Sequence, residues 1–158
     1  MPRVWRATLD EAETVAGLLV GFRNHLGRDW PSDNAFLASV ERLLERGESE
    51  FLLGAPDEDA PAAVAQLRFR FGIWFAATDC LLEDLFVAES ARGSGLGRAV
   101  AEAVIVRAKE RECRRIELDT DEDNTAARAL YESLGFRSGK GEGRRQLFYR
   151  RHLDEQET

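Results

Sequence analysis

The sequence predicts a mixed α/β fold of about seven strands flanked by four helices. Apolar residues recur at helical spacing in several segments, "QLRFRF" alternates as a half-buried strand does, and a glycine stretch separates one predicted strand from the next helix. The elements follow in the order strand, two helices, three strands, helix, strand, helix, two strands. Because a strand, a helix and another strand succeed one another between Leu81 and Thr120, we expect a parallel crossover there.

The N-terminal third is predicted as one strand and two helices. A short strand covers Val4–Arg6, and a helix then runs to about Leu26 with its apolar residues at helical spacing. Thr8 or Asp10 is expected to cap this helix. The polar loop "GRDWPSDN" separates it from a second helix, which is expected to end at Gly47 because glycine is favoured at a helix C-terminus.

The middle of the chain is predicted as three strands and one helix. "EFLLGA" is the first strand, and the alternating segment within "AAVAQLRFRFGIW" predicts a second strand that continues into "DCLLEDLFV" as a hairpin. After the glycine stretch, a helix carries Leu96, Val100 and Val104 on one face and ends near Arg111.

The C-terminal third is predicted as a strand, a helix and two strands. "RRIELDT" is a strand, and "TAARALYESL" is a helix capped by Asn124 or Asp123 and closed by Gly135. "FRS" and "QLFYRR" are the last two strands, joined by the loop "GKGEGRR". We expect one domain over residues 1–153 and a disordered tail at 154–158.

Composition argues against several classes of protein. The 22 basic and 29 acidic residues leave a net charge of −7, which disfavours nucleic acid or an anionic membrane as the main partner. Cys80 and Cys113 are far apart and lack metal-ligand spacing, so neither a disulfide scaffold nor a metal site is indicated. No apolar run approaches the ~20 residues of a membrane span or forms a signal peptide. We therefore expect a cytoplasmic protein.

The stretch "VAESARGSGLGRAVAEAV" is the strongest functional signal in the chain. It places Gly93, Gly95 and Gly97 between a predicted strand and a predicted helix, and Arg92 and Arg98 stand beside them. Unpaired N–H groups at a helix N-terminus bind anions, and glycines let the backbone approach a phosphate closely. A diphosphate suits this geometry, and a glycine-rich turn without a ligand is the alternative.

Register argues against two other nucleotide motifs at this stretch. Counted from Gly93, the sixth position of the dinucleotide pattern GxGxxG is Arg98. Counted from Gly95, it is Val100, so the pattern fails in both registers. The P-loop pattern fails as well, because its terminal GK[ST] is missing.

The spacing Arg92-x-x-Gly95-x-Gly97 resembles the pyrophosphate loop of the GNAT superfamily of N-acetyltransferases. The resemblance continues in chain order through "LEDLFV", "IELDT" and "NTAARALYESLGF" and covers Leu81–Phe136. It implies the GNAT-like acyl-CoA N-acyltransferase fold and a single N-acetyltransferase domain. It also implies an enzyme that uses acetyl-CoA as co-substrate without a metal.

The same resemblance implies which residues hold the donor. The backbone of one strand pairs with the extended pantetheine arm, the glycine loop holds the pyrophosphate, and an asparagine hydrogen-bonds the cofactor. For "DLFV" the alternative is an ordinary buried strand, and both interpretations can hold because main chain binds while side chains pack. The implied cofactor-binding residues are Leu85, Phe86, Val87, Arg92, Gly93, Ser94, Gly95, Leu96, Gly97, Arg98 and Asn124.

Acetylation of an amine requires a base, because an alkylammonium of pKa ~10.4 is protonated near pH 7 and its deprotonation costs about 4 kcal/mol. "LEDLFV" resembles a segment of the spermidine/spermine acetyltransferases whose Glu is proposed as the base, which points to Glu83. On a regular strand Glu83 and Asp84 face opposite sides of the sheet. In the alternative interpretation, one of these carboxylates pairs with Arg68 or Arg70.

Release of the thiolate requires a proton donor. Tyr131 stands seven residues after Asn124, about two helical turns on nearly the same face. The resemblance implies that the Tyr131 hydroxyl protonates the departing sulfur. The alternative is that Tyr131 belongs to an apolar helical stripe and only its hydroxyl reaches the rim.

The acceptor is the least specified part of the reaction. Asp29 and Trp30 in "GRDWP" and the carboxylate of Asp84 are candidate acceptor contacts, and a surface loop packed by one Trp is the alternative. We expect a small cationic primary amine such as a polyamine. An aminoglycoside, an amino acid or a protein amine is an alternative acceptor, and a non-catalytic CoA-binding domain is an alternative function. A homodimer is expected.

Overall fold

The computed structural model describes residues 1–139 and 143–154 of the 158-residue chain. Those residues form a five-stranded sheet in the order β1-β2-β3-β4-β5. The strands are β1 (Arg3–Arg6), β2 (Ser49–Ala55), β3 (Ala63–Gly72), β4 (Ala77–Val87) and β5 (Arg115–Glu117), and the α-helices are α1 (Ala12–His25), α2 (Asp33–Arg46), α3 (Leu96–Glu110) and α4 (Thr125–Ser133).

The sheet is mixed, as predicted. Neighbouring strands from β1 to β4 are antiparallel, and β3 and β4 form the expected hairpin. β4 and β5 are parallel and are joined through α3. The predicted crossover between Leu81 and Thr120 is therefore confirmed, and it places the glycine stretch between the end of β4 and the start of α3.

The helix ends follow the predicted local signals. The N–H of Thr8 donates to Glu11 Oε1 at 3.0 Å at the start of the short 3-10 turn before α1. α2 ends at Gly47, whose φ of 65° lies in the left-handed region that favours glycine. The side chain of Asn124, not of Asp123, caps α4 by accepting from the N–H of Ala127 at 3.2 Å.

Opposite faces of the sheet are covered by different helices. α1 and α2 pack Val15, Leu19 and Val40 against the buried Phe51 and Leu53 of β2. Gly54, the next residue of β2, lies under α3. A Cβ at this position would come within 2.8 Å of Val100 Cγ2 and 3.1 Å of Leu96 Cδ1. Glycine therefore lets the N-terminal half of α3 approach the end of β2 closely.

The number of predicted strands is wrong. Neither 136–138 ("FRS") nor 146–151 ("QLFYRR") forms a strand, and the side chains of Leu147, Phe148 and Tyr149 are exposed. The physical reason is that an alternating pattern suits a strand but supplies no partner backbone, and a strand exists only where a ladder of hydrogen bonds can form. "RRIELDT" is shortened for the same reason to the three residues that pair with β4.

The chain divides into two compact units, Met1–Asp123 and Asn124–Thr158. The first contains the sheet and α1 to α3, and the second contains α4. The single domain at 1–153 stays a prediction. Part of the loop "GKGEGRR", residues 140–142, and most of the predicted tail, residues 155–158, lie outside the described residues.

Candidate functional site

One edge of β4 is open along its second half. β3 pairs with β4 from Ala77 to Val87, but β5 pairs only with Asp79–Leu81. In the part of the chain that the structure describes, residues 82–87 therefore have no ladder partner on the β5 side. We call residues 82–87 the free edge. Its N–H and C=O groups can pair with an extended ligand, as a peptide pairs in β-strand addition. The predicted donor residues 85–87 lie within it.

The glycine loop, residues 92–98, follows the free edge after a short 3-10 turn. Gly93 has a φ of 77° and Gly95 a φ of 81°, values that residues with a Cβ rarely adopt. Gly95 is the N-cap of α3, and its carbonyl accepts the first helical bond from Ala99 N at 3.0 Å. The N–H groups that precede this bond form an anion site at the helix N-terminus. Binding of a diphosphate by this loop stays a prediction.

Contacts back to β4 hold the glycine loop in place. Arg92 Nε donates to the carbonyl oxygen of Val87 at 3.1 Å, and its guanidinium lies 5.9 Å from the ring centroid of Phe86. The Ser94 hydroxyl donates to the carbonyl of Ala91. Arg98 forms an ion pair with Glu102 at 3.6 Å within α3. The cations on both sides of the glycines are thus in place before a ligand binds.

A β-bulge interrupts β4 at the predicted base. Gln66 pairs with Asp84 and Leu67 pairs with Leu82, so Glu83 has no opposing residue on β3. The strand is not regular here, and the expectation that Glu83 and Asp84 face opposite sides of the sheet does not apply. Glu83 Oε1 lies 3.4 Å from Arg68 Nε, so the pairing anticipated as the alternative is present. The role of Glu83 as base stays a prediction.

Asp84, on the same strand, has a carboxyl group whose pKa is shifted. Burial first, and then the negative charges of Glu83 and Asp119, raise the pKa of Asp84 above its ordinary value. A carboxyl group with a raised pKa accepts a proton more readily near neutral pH. Asp119 follows β5 and was predicted only as part of the strand "RRIELDT". The parallel pairing of β4 with β5 is the signal that could have placed it beside "LEDLFV".

The end of α1 lies beside the free edge. The Phe22 ring stacks on Phe86 with 5.1 Å between centroids, and the His25 ring lies 6.2 Å from the same ring. The loop "GRDWP" follows directly, and both Asp29 and Trp30 are exposed within it. Their contact with an acceptor stays a prediction.

Arg23 of α1 forms hydrogen bonds with the end of this loop and with the start of α2. Its Nη1 donates to the carbonyl of Pro31 at 2.8 Å and to Asp33 Oδ1 at 2.7 Å. The loop between α1 and α2 is thereby held at its C-terminal end.

The second unit contains the remaining two predicted site residues. Asn124 caps α4, as described above, and Tyr131 packs edge-on against Phe136 with 5.6 Å between ring centroids. Burial raises the pKa of the Tyr131 phenol, so it keeps its proton at neutral pH. The apolar packing anticipated as the alternative is therefore present, and the raised pKa agrees with a hydroxyl that stays protonated. The roles of Asn124 and Tyr131 toward the cofactor stay predictions.

Other reactive side chains do not suggest a different chemistry. Burial raises the pKa of the Cys80 thiol to about 12, which disfavours a thiolate nucleophile. Within residues 1–139 and 143–154, no group of three or more His, Cys, Asp or Glu side chains could hold a metal ion. No helix of the described segments is long and apolar enough to cross a bilayer.

Residues 77–117 thus form a parallel crossover in which the first strand has a free edge and the helix begins at a glycine-rich N-terminus flanked by arginines. The chain belongs to the acetyltransferase (GNAT) family, whose model matches residues 19–136. It is an acetyltransferase of the GNAT type. The fold class and the family predicted from the sequence are confirmed.

Relatives of known sequence and structure agree with this assignment. The chain is 27% identical over 146 residues to the aminoglycoside N(6')-acetyltransferase type 1 of Acinetobacter genomosp. 13, covering 90% of this chain and 95% of that protein. A crystal structure of a probable acetyltransferase is 28% identical with a TM-score of 0.83 and covers 95% of this chain and 99% of the other.

A second similar structure contains coenzyme A. The aminoglycoside N-acetyltransferase AAC(6')-Iy in complex with CoA is 23% identical with a TM-score of 0.74 and covers 96% of this chain and 95% of that chain. At this identity the likeness shows the fold. Membership of the acetyltransferase family supports the use of acetyl-CoA by this chain.

Proposed function

We propose that this protein transfers the acetyl group of acetyl-CoA directly to a primary amine of a small cationic molecule. The observation that carries the proposal is the geometry of β4. Its free edge leads into the glycine loop, and the same strand carries Glu83 and Asp84 at the bulge. A donor site and a carboxylate pair for the acceptor therefore lie within one strand.

The donor is assigned to the free edge and the glycine loop. Backbone groups of residues 85–87 would align the pantetheine arm, and the N–H groups at the start of α3 would hold the pyrophosphate, with Arg92 as a further cation. When bound, acetyl-CoA supplies a thioester whose carbonyl carbon the amine attacks. The open space around Cβ positions at Gly93 and Gly95 leaves room for the phosphates.

The acceptor is assigned to the carboxylates around the bulge. Glu83, Asp84 and Asp119 interact electrostatically, and Arg68 is the cation paired with Glu83. These four formal charges sum to −2, which attracts an ammonium group. In the proposed step Glu83 takes the proton from the amine directly or through water. The amine nitrogen then bonds to the acetyl carbon, and the C–S bond breaks as Tyr131 protonates the leaving sulfur. The second proton, lost by the nitrogen as the amide forms, restores the Tyr131 hydroxyl.

Two observations support a cationic amine as the acceptor: the name of a relative and the charge of the carboxylate cluster. The aminoglycoside acetyltransferase relative acts on a polycationic small molecule by its name, and the carboxylate cluster suits any polyamine of similar charge. Asp29 and Trp30 are proposed to contact the acceptor from the loop after α1. A cytoplasmic location and a homodimer also stay predictions.

Acetyl-CoA is expected to stabilise the wild-type protein through the glycine loop. At a concentration about 100 times the Kd, the free energy of unfolding should rise by about 2.7 kcal/mol, which differential scanning fluorimetry detects as a higher Tm. Gly95→Val should abolish the shift, because a β-branched residue cannot adopt a φ of 81° without strain.

Gly47→Val is the matched control. Gly47 also has a positive φ and open space around its Cβ position, but it ends α2. This variant should lose stability and keep the acetyl-CoA shift. A wild-type protein stabilised by ATP and not by acetyl-CoA would show that the donor assignment is wrong.

Glu83→Gln is expected to lower kcat/KM for spermidine or kanamycin about 100-fold at pH 7, measured by thiol release from acetyl-CoA. The loss should shrink toward pH 10, because the neutral fraction of the amine grows without a base as pH approaches the amine pKa of ~10.4. Asp84→Asn tests the second carboxylate. Its pKa is raised, so a base at Asp84 makes the wild-type rate rise as pH passes through that higher value.

Glu45→Gln is the charge-matched control, since Glu45 is exposed on α2. It should leave the pH profile unchanged. If Glu83→Gln keeps wild-type activity at every pH while Asp84→Asn loses it, the base is Asp84. If both variants keep full activity, neither carboxylate is the base.

A further inference from the structure

A cavity of about 450 Å³ lies away from the glycine loop. It is open to solvent on one side and is lined by the end of β1, the turn before α1, the end of α2, the start of β2 and the residue after α3. α3 has 15 residues and is therefore about 22 Å long. The glycine loop precedes its N-terminus, and the cavity lies at its C-terminus. The residues that matter for the argument are Arg6, Thr8, Leu9, Leu44, Glu50 and Arg111.

One buried carboxylate forms ion pairs with three guanidinium groups at this cavity. Glu50 is 6% exposed, and its oxygens lie 2.6 Å from Arg107, 3.0 Å from Arg111 and 3.4 Å from Arg6. Burial opposes its charge, but the hydrogen bonds and charges of the arginines outweigh burial and lower the pKa of Glu50. The site therefore contains an ionised carboxylate with more than one cation.

The charges do not balance at the cavity wall. Arg107 donates twice to Glu50 and also to Glu110, so its charge is well matched. Arg6 and Arg111 line the cavity and share the remaining capacity of Glu50. The charged lining residues, Arg6, Arg111 and Glu50, sum to +1. An anion with a single charge would neutralise this wall.

Two contacts hold the Arg111 side chain in position at the cavity wall. The Arg111 guanidinium lies 4.1 Å from the ring centroid of Phe69, in addition to its bond to Glu50. Stacking on an aromatic ring fixes the plane of a guanidinium and leaves its remaining N–H groups for a second acceptor. Leu9 and Leu44 supply an apolar part of the wall, and Thr8 supplies a hydroxyl.

We propose that this cavity binds a small organic monocarboxylate, with its carboxylate between Arg6 and Arg111 and its apolar body against Leu9 and Leu44. The volume is within the usual range for small-molecule sites, and a few convergent polar groups among apolar ones are typical of them. The bidentate geometry of guanidinium matches a carboxylate. The site is separate from acetyl transfer and does not depend on the proposed function.

Isothermal titration calorimetry with benzoate and butyrate tests the site. Saturating coenzyme A is present throughout, so that the glycine loop cannot capture the anion. Wild-type protein should bind at least one carboxylate saturably, and Arg111→Met should weaken binding about tenfold or more, since a charge-assisted bidentate contact is lost. Arg6→Met is the second variant and should also weaken binding, because it removes the other cation that contacts the carboxylate. The Arg6 side chain is more exposed than that of Arg111, so its removal costs less stability.

Arg46→Met is the matched control, since Arg46 pairs with Glu48 on the surface and is not part of the cavity wall. It should bind like the wild type. The proposal is overturned if neither carboxylate binds saturably, if Arg6→Met and Arg111→Met bind as tightly as the wild type, or if inorganic phosphate binds and the carboxylates do not.

Discussion

Tyr131→Phe is expected to lower kcat for amine acetylation about 100-fold or more while the Kd for coenzyme A stays unchanged. The proposed role of the hydroxyl is to protonate the thiolate, which is needed only as the C–S bond breaks, and general acid catalysis contributes about 10²–10⁴-fold. Burial raises the pKa of this phenol, so the group is protonated throughout a neutral assay. Steady-state thiol release and calorimetry with coenzyme A measure the two quantities.

Tyr149→Phe provides the control for this substitution. Tyr149 is the other tyrosine of the chain and is 86% exposed, so removal of its hydroxyl should leave kcat unchanged. If Tyr131→Phe keeps the wild-type kcat, Tyr131 contributes only apolar packing against Phe136. A loss of coenzyme A binding would instead point to a role in holding the donor.

Glu50→Gln is expected to lower the free energy of unfolding by about 3 kcal/mol. Removal of one partner from a buried ion pair costs about 3–5 kcal/mol, because the remaining charge is left uncompensated. The lower end applies because Arg6 and Arg111 are partly exposed and water solvates them after the substitution. Chemical denaturation at pH 7 measures the change.

The stabilisation from Glu50 has a defined dependence on pH. Its pKa is lowered in the folded protein, so the contribution is fully present above the ordinary Glu pKa of about 4.3. It is lost as pH falls through the lower, folded value. The difference in unfolding free energy between wild type and Glu50→Gln should therefore be constant near neutral pH and shrink below about pH 4.

Glu48→Gln is the neighbouring control for the stability measurement. Glu48 is exposed and pairs with Arg46 at 3.7 Å on the surface, so its loss should change stability by about 0.5 kcal/mol or less. If the two substitutions lower the free energy of unfolding equally, water screens the ion pairs of Glu50 as strongly as it screens the ion pair of Glu48.

Local signals predicted most of the secondary structure. The capping asparagine at 124, the C-terminal glycine at 47 and the crossover around the glycine loop all depend on residues close together in the chain. Helix caps of this kind act through backbone groups that are neighbours in the chain. They therefore form wherever the helix forms, whatever the rest of the fold. The prediction of two C-terminal strands was wrong, because an alternating sequence pattern does not by itself supply a neighbouring strand to pair with.

The position of the glycine loop was predictable from its motif, and the binding role of its residues stays a prediction. Gly93 and Gly95 were predicted from spacing, and their positive φ values agree with a loop that approaches a phosphate. The raised pKa of Asp84 was not predictable, because it comes from burial and from Asp119, which lies in the chain beyond α3. The Arg68 partner of Glu83 was predicted only as an alternative.

The amino-acid sequence by itself determined the order of the elements as far as α4 and the position of the glycine loop, and its resemblance to the GNAT superfamily predicted the acetyl donor. Only the tertiary structure decided the bulge at Glu83, the environment of Asp84 and the burial of Glu50 among three arginines. Glu50 and Arg107 are 57 residues apart, and nothing in the strand "EFLLGA" marks a carboxylate that charges from β1 and α3 will surround. Burial and charge pairing depend on which distant segments meet, so they follow from packing and not from local pattern.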